Sequence, residues 1–173
     1  MTKKMGLMAL GLSMALLSGC GSNNDDDGGN GGGSTLNTPA EVEKNIVGSW
    51  SVGCINDKGG WSETDGAIFN ADGTGDHQGA EYDAPGCNPE DEVDSWGGAF
   101  TYAVGEATTG SAGEDAVELD IHSEGWDYYT MLHFNDVDKY LMADGDEDAG
   151  EGETPETRNS NFEDEADWIY IRQ

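Results

Sequence analysis

The densest run of groups able to do chemistry lies between Asp144 and Asp167, which holds eleven carboxylates and one base, Arg158. Asp144, Asp146 and Asp148 stand at alternate positions, and calcium takes hard oxygen ligands of this kind. The helix-loop-helix calcium pattern is broken, with Ala149 where its sharp turn needs glycine and Pro155 where a bidentate glutamate belongs. The preferred reading is therefore a solvated acidic loop between the last two strands, with no cofactor. Weak calcium binding at Asp144, Asp146 and Asp148 is the alternative. The three histidines, His77, His122 and His133, are scattered over three elements and read as surface residues. Zinc wants ligands grouped at short spacing. No nucleophile elbow, phosphate-cradling glycine loop or metalloprotease motif is present. Carboxylates are so frequent that their pairing says nothing about acid-base work. The chain is read as a non-enzyme.

Cysteines narrow the setting. There are three, Cys20, Cys54 and Cys87. Cys20 ends the run Leu17-Ser18-Gly19-Cys20, which follows a basic pair, Lys3-Lys4, and an apolar stretch from Met5 to Leu17. That stretch is too short to span a bilayer and suits the apolar part of an export signal. The three parts together resemble the signal and lipobox of bacterial lipoproteins. The resemblance implies cleavage before Cys20 and acylation of that residue with fatty chains such as palmitate. Several chains on one residue anchor stably, where a single chain is marginal. Gly21, in place of an aspartate that would hold such a protein at the inner membrane, implies the outer membrane; which face is left open. Cys54 and Cys87 then have only each other, in a compartment that permits disulfides. Two free thiols are the alternative, and no histidine sits beside either cysteine to make a metal pair.

Charge limits the partners. The chain of 173 residues has 36 acidic residues, seven basic ones and a formal charge of −29. A phosphate backbone would be repelled, so nucleic acid is excluded. The protein's own charges would not dock on anionic lipid either. From Ile46 on there are 31 acids and four bases, a charge that strains a fold by self-repulsion unless salt screens it. Thirty-five per cent apolar residues still supply a core.

These groups must be positioned by a fold. Residues 1–19 read as signal and 20–45, rich in Gly, Asn and Asp, as the acylated cysteine and a flexible tether. Residues 46–173 show period-two stretches bounded by Gly, Asn and Asp and no sustained helical period. Trp50, Val52 and Cys54 alternate with small residues. Asn70-Ala71-Asp72-Gly73 is a hairpin turn. Val117, Leu119 and Ile121 alternate with Glu118, Asp120 and His122. Trp126, Tyr128, Thr130, Leu132 and Phe134 share one face. Further strands are read at Val137 to Ala143 and Asp167 to Gln173, the last apolar on both faces. About eight strands joined by hairpins predict an all-β, antiparallel up-and-down barrel, with an open sandwich as the alternative.

Ile46-Val47-Gly48-Ser49-Trp50 resembles the Gly-x-Trp opening of lipocalin-like domains. Phe69 to Thr74, Gly98 to Tyr102, Tyr140 to Met142 and Tyr170 to Gln173 follow in the order of that family's later strands. The resemblance implies that Gly48, Trp50 and Arg172 meet at one barrel end, with the arginine over the indole, a sound pairing on its own terms. It implies no ligand, because such folds host carriers, inhibitors, enzymes and proteins without known ligands. Trp61, Trp96 and Trp126 lie near turns or strand ends and are the candidate lining of a barrel mouth. The expected function is a membrane-anchored binding module for a small apolar ligand or an envelope protein partner. The alternative is a structural or calcium-responsive envelope protein whose barrel is filled by its own side chains.

Overall fold

The computed structural model describes residues 35–57, 59–143, 152–162 and 169–173. Cys20, the signal, the first part of the tether and the aspartates at 144, 146 and 148 lie outside them. Eight antiparallel strands close into a barrel in sequence order: β1 (Gly48–Asn56), β2 (Ser62–Phe69), β3 (Thr74–Tyr82), β4 (Glu92–Thr109), β5 (Asp115–Ser123), β6 (Trp126–Asp136), β7 (Lys139–Met142) and β8 (Ile169–Arg172). Closure comes from Trp50 and Ser51 of β1 pairing with Arg172 and Ile171 of β8. The all-β barrel expected from the period-two stretches is thus the fold, and the sandwich is not.

Alternation decides which face goes inward. In β5, Val117 and Leu119 are fully buried and Ile121 nearly so, and in β6 Thr130, Leu132 and Phe134 are buried on the predicted face. The ambiguous last strand buries Tyr170 and exposes Ile171. β4 runs far beyond the segment legible in the sequence. It pairs with β3 through Glu92–Thr101 and with β5 through Phe100–Thr109, bending at an irregularity between Val104 and Ala107. The β2–β3 turn forms as expected. Gly73 takes a φ of +81°, and Asp72 Oδ1 accepts from the Thr74 amide at 3.0 Å and its hydroxyl at 2.6 Å.

One boundary moves. Residues 35–45, read as the end of the tether, form a 3-10 turn at Thr35–Asn37 and a short helix, α1 (Pro39–Asn45). Thr38 caps α1 by accepting from the Glu41 amide, and Pro39 begins the helix. Val42 and Ile46, one turn apart, are fully buried in the barrel's main core cluster. The Asn37 side chain accepts from the Phe134 amide at 2.6 Å and donates to the Phe134 carbonyl at 3.2 Å, pairing with β6 as a strand would. These residues close one end of the barrel.

The acidic stretch after β7 is not simply solvated where it is described. The Tyr129 amide donates to the Gly152 carbonyl, and the Asn159 amide to the Tyr129 carbonyl, so residues 152–162 lie along β6 beyond the last residue that β7 pairs. Phe162 is buried with Ala116, Met131 and Ala143. Arg158 is the latch. Its side chain is 8% exposed and lies 2.7 Å from Asp120 and 3.6 Å from Glu118. It also donates to the Leu119 and Thr130 carbonyls at 3.1 Å, with its guanidinium 5.6 Å from the Tyr129 ring centre. Arg158→Ala removes charge-assisted bonds and is expected to cost about 2 kcal/mol in urea denaturation. Amide exchange at Asn159 and Tyr129 should quicken more than exchange in β2 and β3. Unchanged exchange at Asn159 would refute the latch.

Candidate functional site

The closed end forms the floor. Arg172 lies over Trp50, its guanidinium carbon 4.3 Å from the ring centre. Its three nitrogens donate to the Asn45, Val47 and Val137 carbonyls and to Asp138 at 2.6–3.0 Å. Trp50 Nε1 donates to the Ile46 carbonyl at 2.6 Å. Gly48 has a φ of +147°, and a Cβ there would sit 2.5 Å from Arg172 Nη1. So Gly48, Trp50 and Arg172 meet, and the small residue makes room for the guanidinium.

Above this floor the barrel holds a cavity of about 430 Å³. That is the size of a small-molecule site. Phe69, Phe100, Ile121, Tyr140 and Met142 line it, together with Tyr128 and Tyr170. Trp96 and Trp126, 36% and 44% exposed, join the lining while remaining partly open to solvent. Trp61, 38% exposed, is not among the lining residues. It sits at the β1–β2 turn, its ring against Gly59, so proximity to a strand end did not bring it to the site. The large aromatics do not fill the barrel because glycines thin one wall. A Cβ at Gly75 would collide with the Phe100 ring and one at Gly79 with the Trp96 indole. Both rings lie flat over β3 where a side chain would otherwise stand.

The polar groups of the cavity were not singled out by motif. β2 turns Glu63, Asp65, Ala67 and Phe69 to the same side, and all four line the cavity. Asp65 accepts from the Tyr170 hydroxyl at 2.8 Å and from the Gly66 amide at 2.7 Å, and its Oδ1 is 3.6 Å from His77 Nε2. Burial pushes the Asp65 carboxyl above its usual range, against the Tyr170 hydrogen bond, His77 and the Gly66 amide, which favour its charge. Glu63 is also raised, by burial first and then by the charges of Asp65 and Glu81. The Tyr170 and Tyr140 hydroxyls are held well above the usual phenol value, chiefly by burial. The two rings stack at 4.8 Å, which fixes the Tyr170 hydroxyl toward Asp65. His77, expected at the surface, is a lining residue whose ring meets Trp126 edge-on at 6.3 Å. The other two histidines lie apart from it: His122 Nδ1 is 2.8 Å from Asp127, and His133 Nδ1 is 2.8 Å from the Asp115 carbonyl oxygen.

The signal for Asp65 and Glu63 was in the sequence. Period two carries them onto the face of Ala67 and Phe69, and an inward carboxylate on a barrel strand is a candidate functional group. The arrangement can hold an apolar body between aromatic walls and accept a hydrogen bond or a positive charge at Asp65. Among the described residues no group of three or more His, Cys, Asp or Glu side chains could hold a metal ion. The described cavity lining contains no serine, cysteine, lysine or arginine. No family model, curated protein or solved structure matches the chain.

Proposed function

We propose that this chain is a lipoprotein, anchored in the outer membrane through acylated Cys20, whose lipocalin-like barrel binds a small, largely apolar ligand without chemical conversion. The observation that carries the reading is the aromatic cavity of about 430 Å³ inside a closed barrel. A barrel of eight strands has little interior to spare. Leaving that much of it empty forfeits packing that larger side chains would supply. The Cys54–Cys87 disulfide supports an oxidising, exported setting. The sequence around Cys20 supports the anchor.

The test uses the full chain in phospholipid nanodiscs, with empty discs as control. Dodecanol and phenylbutanol are titrated separately while tryptophan emission and melting are followed. Trp96 and Trp126 report on the cavity directly. A ligand at about a hundred times its Kd stabilises the native state by about 2.7 kcal/mol, a shift of several degrees. Absence of any shift with either alcohol would overturn the reading. A shift with calcium alone would instead favour an envelope protein that responds to calcium through the acidic stretch.

A further inference from the structure

The cavity's charges are one-sided. Among the described lining residues, two carboxylates, Asp65 and Glu63, face it with one imidazole, His77, and no lysine or arginine. Whatever the state of His77, carboxylates remain in excess. Asp65 is held in place by Tyr170 and by its own strand. An ionised carboxylate in an apolar wall costs folding free energy. Burial raises the carboxyl of Asp65, so its contribution to stability is present below the unfolded pKa and lost as pH rises through the folded one. The ionised form of Asp65 therefore opposes folding. A group retained against stability in a cavity is a candidate for ligand recognition. The rings of Trp126, Tyr128 and Tyr170 line the same space, and aromatic faces attract cations.

We propose that the ligand is a small organic amine, its ammonium group meeting Asp65 and its apolar body lying against Phe69, Phe100 and Trp126. This rests on the binding-module reading above and adds the head-group chemistry. Beside His77, an ammonium group adds a second cationic partner for the two lining carboxylates, and charge-assisted hydrogen bonds to a carboxylate are about twice as strong as neutral ones. The acidic surface of the whole protein would draw cations toward the mouth as well.

Three probes with one apolar body separate the head groups: phenylbutylamine, phenylbutanol and phenylbutyrate. Each is titrated by calorimetry into the full chain in nanodiscs, and into Asp65→Asn in the same discs. The amine is expected to bind about tenfold more tightly than the alcohol, and the carboxylate more weakly than either. Asp65→Asn should melt no lower than the parent, since it removes a buried charge while keeping a polar partner for Tyr170. It should erase the preference for the amine, weakening the amine about tenfold more than it weakens the alcohol. If the alcohol binds as well as the amine, or the carboxylate binds best, the amine inference fails and the binding module stands. If Asp65→Asn weakens all three equally, Asp65 is structural and the inference fails. If none of the three binds, the amine inference fails, and if dodecanol gives no shift either, the binding-module reading itself falls.

Discussion

Replacing Trp50 by alanine is expected to cost about 3–5 kcal/mol, the range for deleting a buried large aromatic. Trp50 is 1% exposed. Its edge contacts reach Tyr140 at 4.8 Å and Phe134 at 5.9 Å between ring centres. The substitution removes these, orphans the Ile46 carbonyl that accepts from Nε1, and strips the surface on which Arg172 rests. The damage reaches across the closed end because Arg172 ties together α1, the β6–β7 turn and the two strands that close the barrel. Total stability of a domain is only about 5–15 kcal/mol, so this one change consumes a large share of it. Two milder variants separate the causes. Trp50→Phe keeps the ring and loses the donor, and about 1–2 kcal/mol should follow. Arg172→Lys keeps the charge but cannot reach three carbonyls and a carboxylate from one planar fork. It should cost about 2–3 kcal/mol by urea denaturation, hydrogen bonds to charged groups being worth about 1.5–3 kcal/mol each and the ammonium replacing only some of them. A Trp50→Ala variant within 1 kcal/mol of the parent would show that the closed end is not a keystone.

Legibility followed the size of the local signal. β5 and β6 are legible because apolar residues recur at every second position and face the core as expected, while the burial of Ala116 and Met131 on the opposite face comes from Phe162, far along the chain. β7 begins two residues later than its apolar run suggests, since Val137 and Asp138 form a turn that the apolar valine disguises. α1 was missed although Thr38-Pro39-Ala40-Glu41 carries a helix-start signature. Two turns of helix contain too few apolar residues to show a period, and the glycine-rich stretch before them set the expectation. Of the three candidate tryptophans, Trp96 and Trp126 line the cavity and Trp61 does not. Their separation depends on strand register, Trp96 lying opposite Gly79, which composition near a turn does not reveal. Asp65 is inconspicuous in the sequence for a different reason. In a chain with 36 acidic residues one carboxylate draws no notice until its strand face is considered. Its pairing with Tyr170 joins residues 105 positions apart, a distance over which sequence spacing carries no information.

Removing the disulfide is expected to lower stability by about 3–4 kcal/mol and the melting temperature by roughly 10–15 °C. Cys54 and Cys87 are joined across 33 residues, with Cα atoms 5.9 Å apart. On the chain-entropy account the bond acts on the unfolded chain, which loses the freedom of a loop that long. The native state has its own means of holding the same loop. Ser62 Oγ donates to the Ala84 carbonyl at 2.6 Å and accepts from the Cys87 amide at 3.0 Å, and the Gly86 amide donates to Asn56 at 2.7 Å. Those bonds survive when the sulfurs part. The barrel should therefore persist in reduced protein and in the Cys54→Ala/Cys87→Ala double variant, both less stable by similar amounts. Neither cysteine lines the cavity, so ligand affinity at low temperature should be unchanged while the melting temperature falls. Urea denaturation of oxidised, reduced and double-variant protein, with phenylbutanol titrated into each, checks both halves. A reduced protein as stable as the oxidised one would refute the loop-closure account. Lost affinity at full folding would show instead that the disulfide shapes the native cavity, and that the Ser62 and Asn56 bonds alone do not hold the loop.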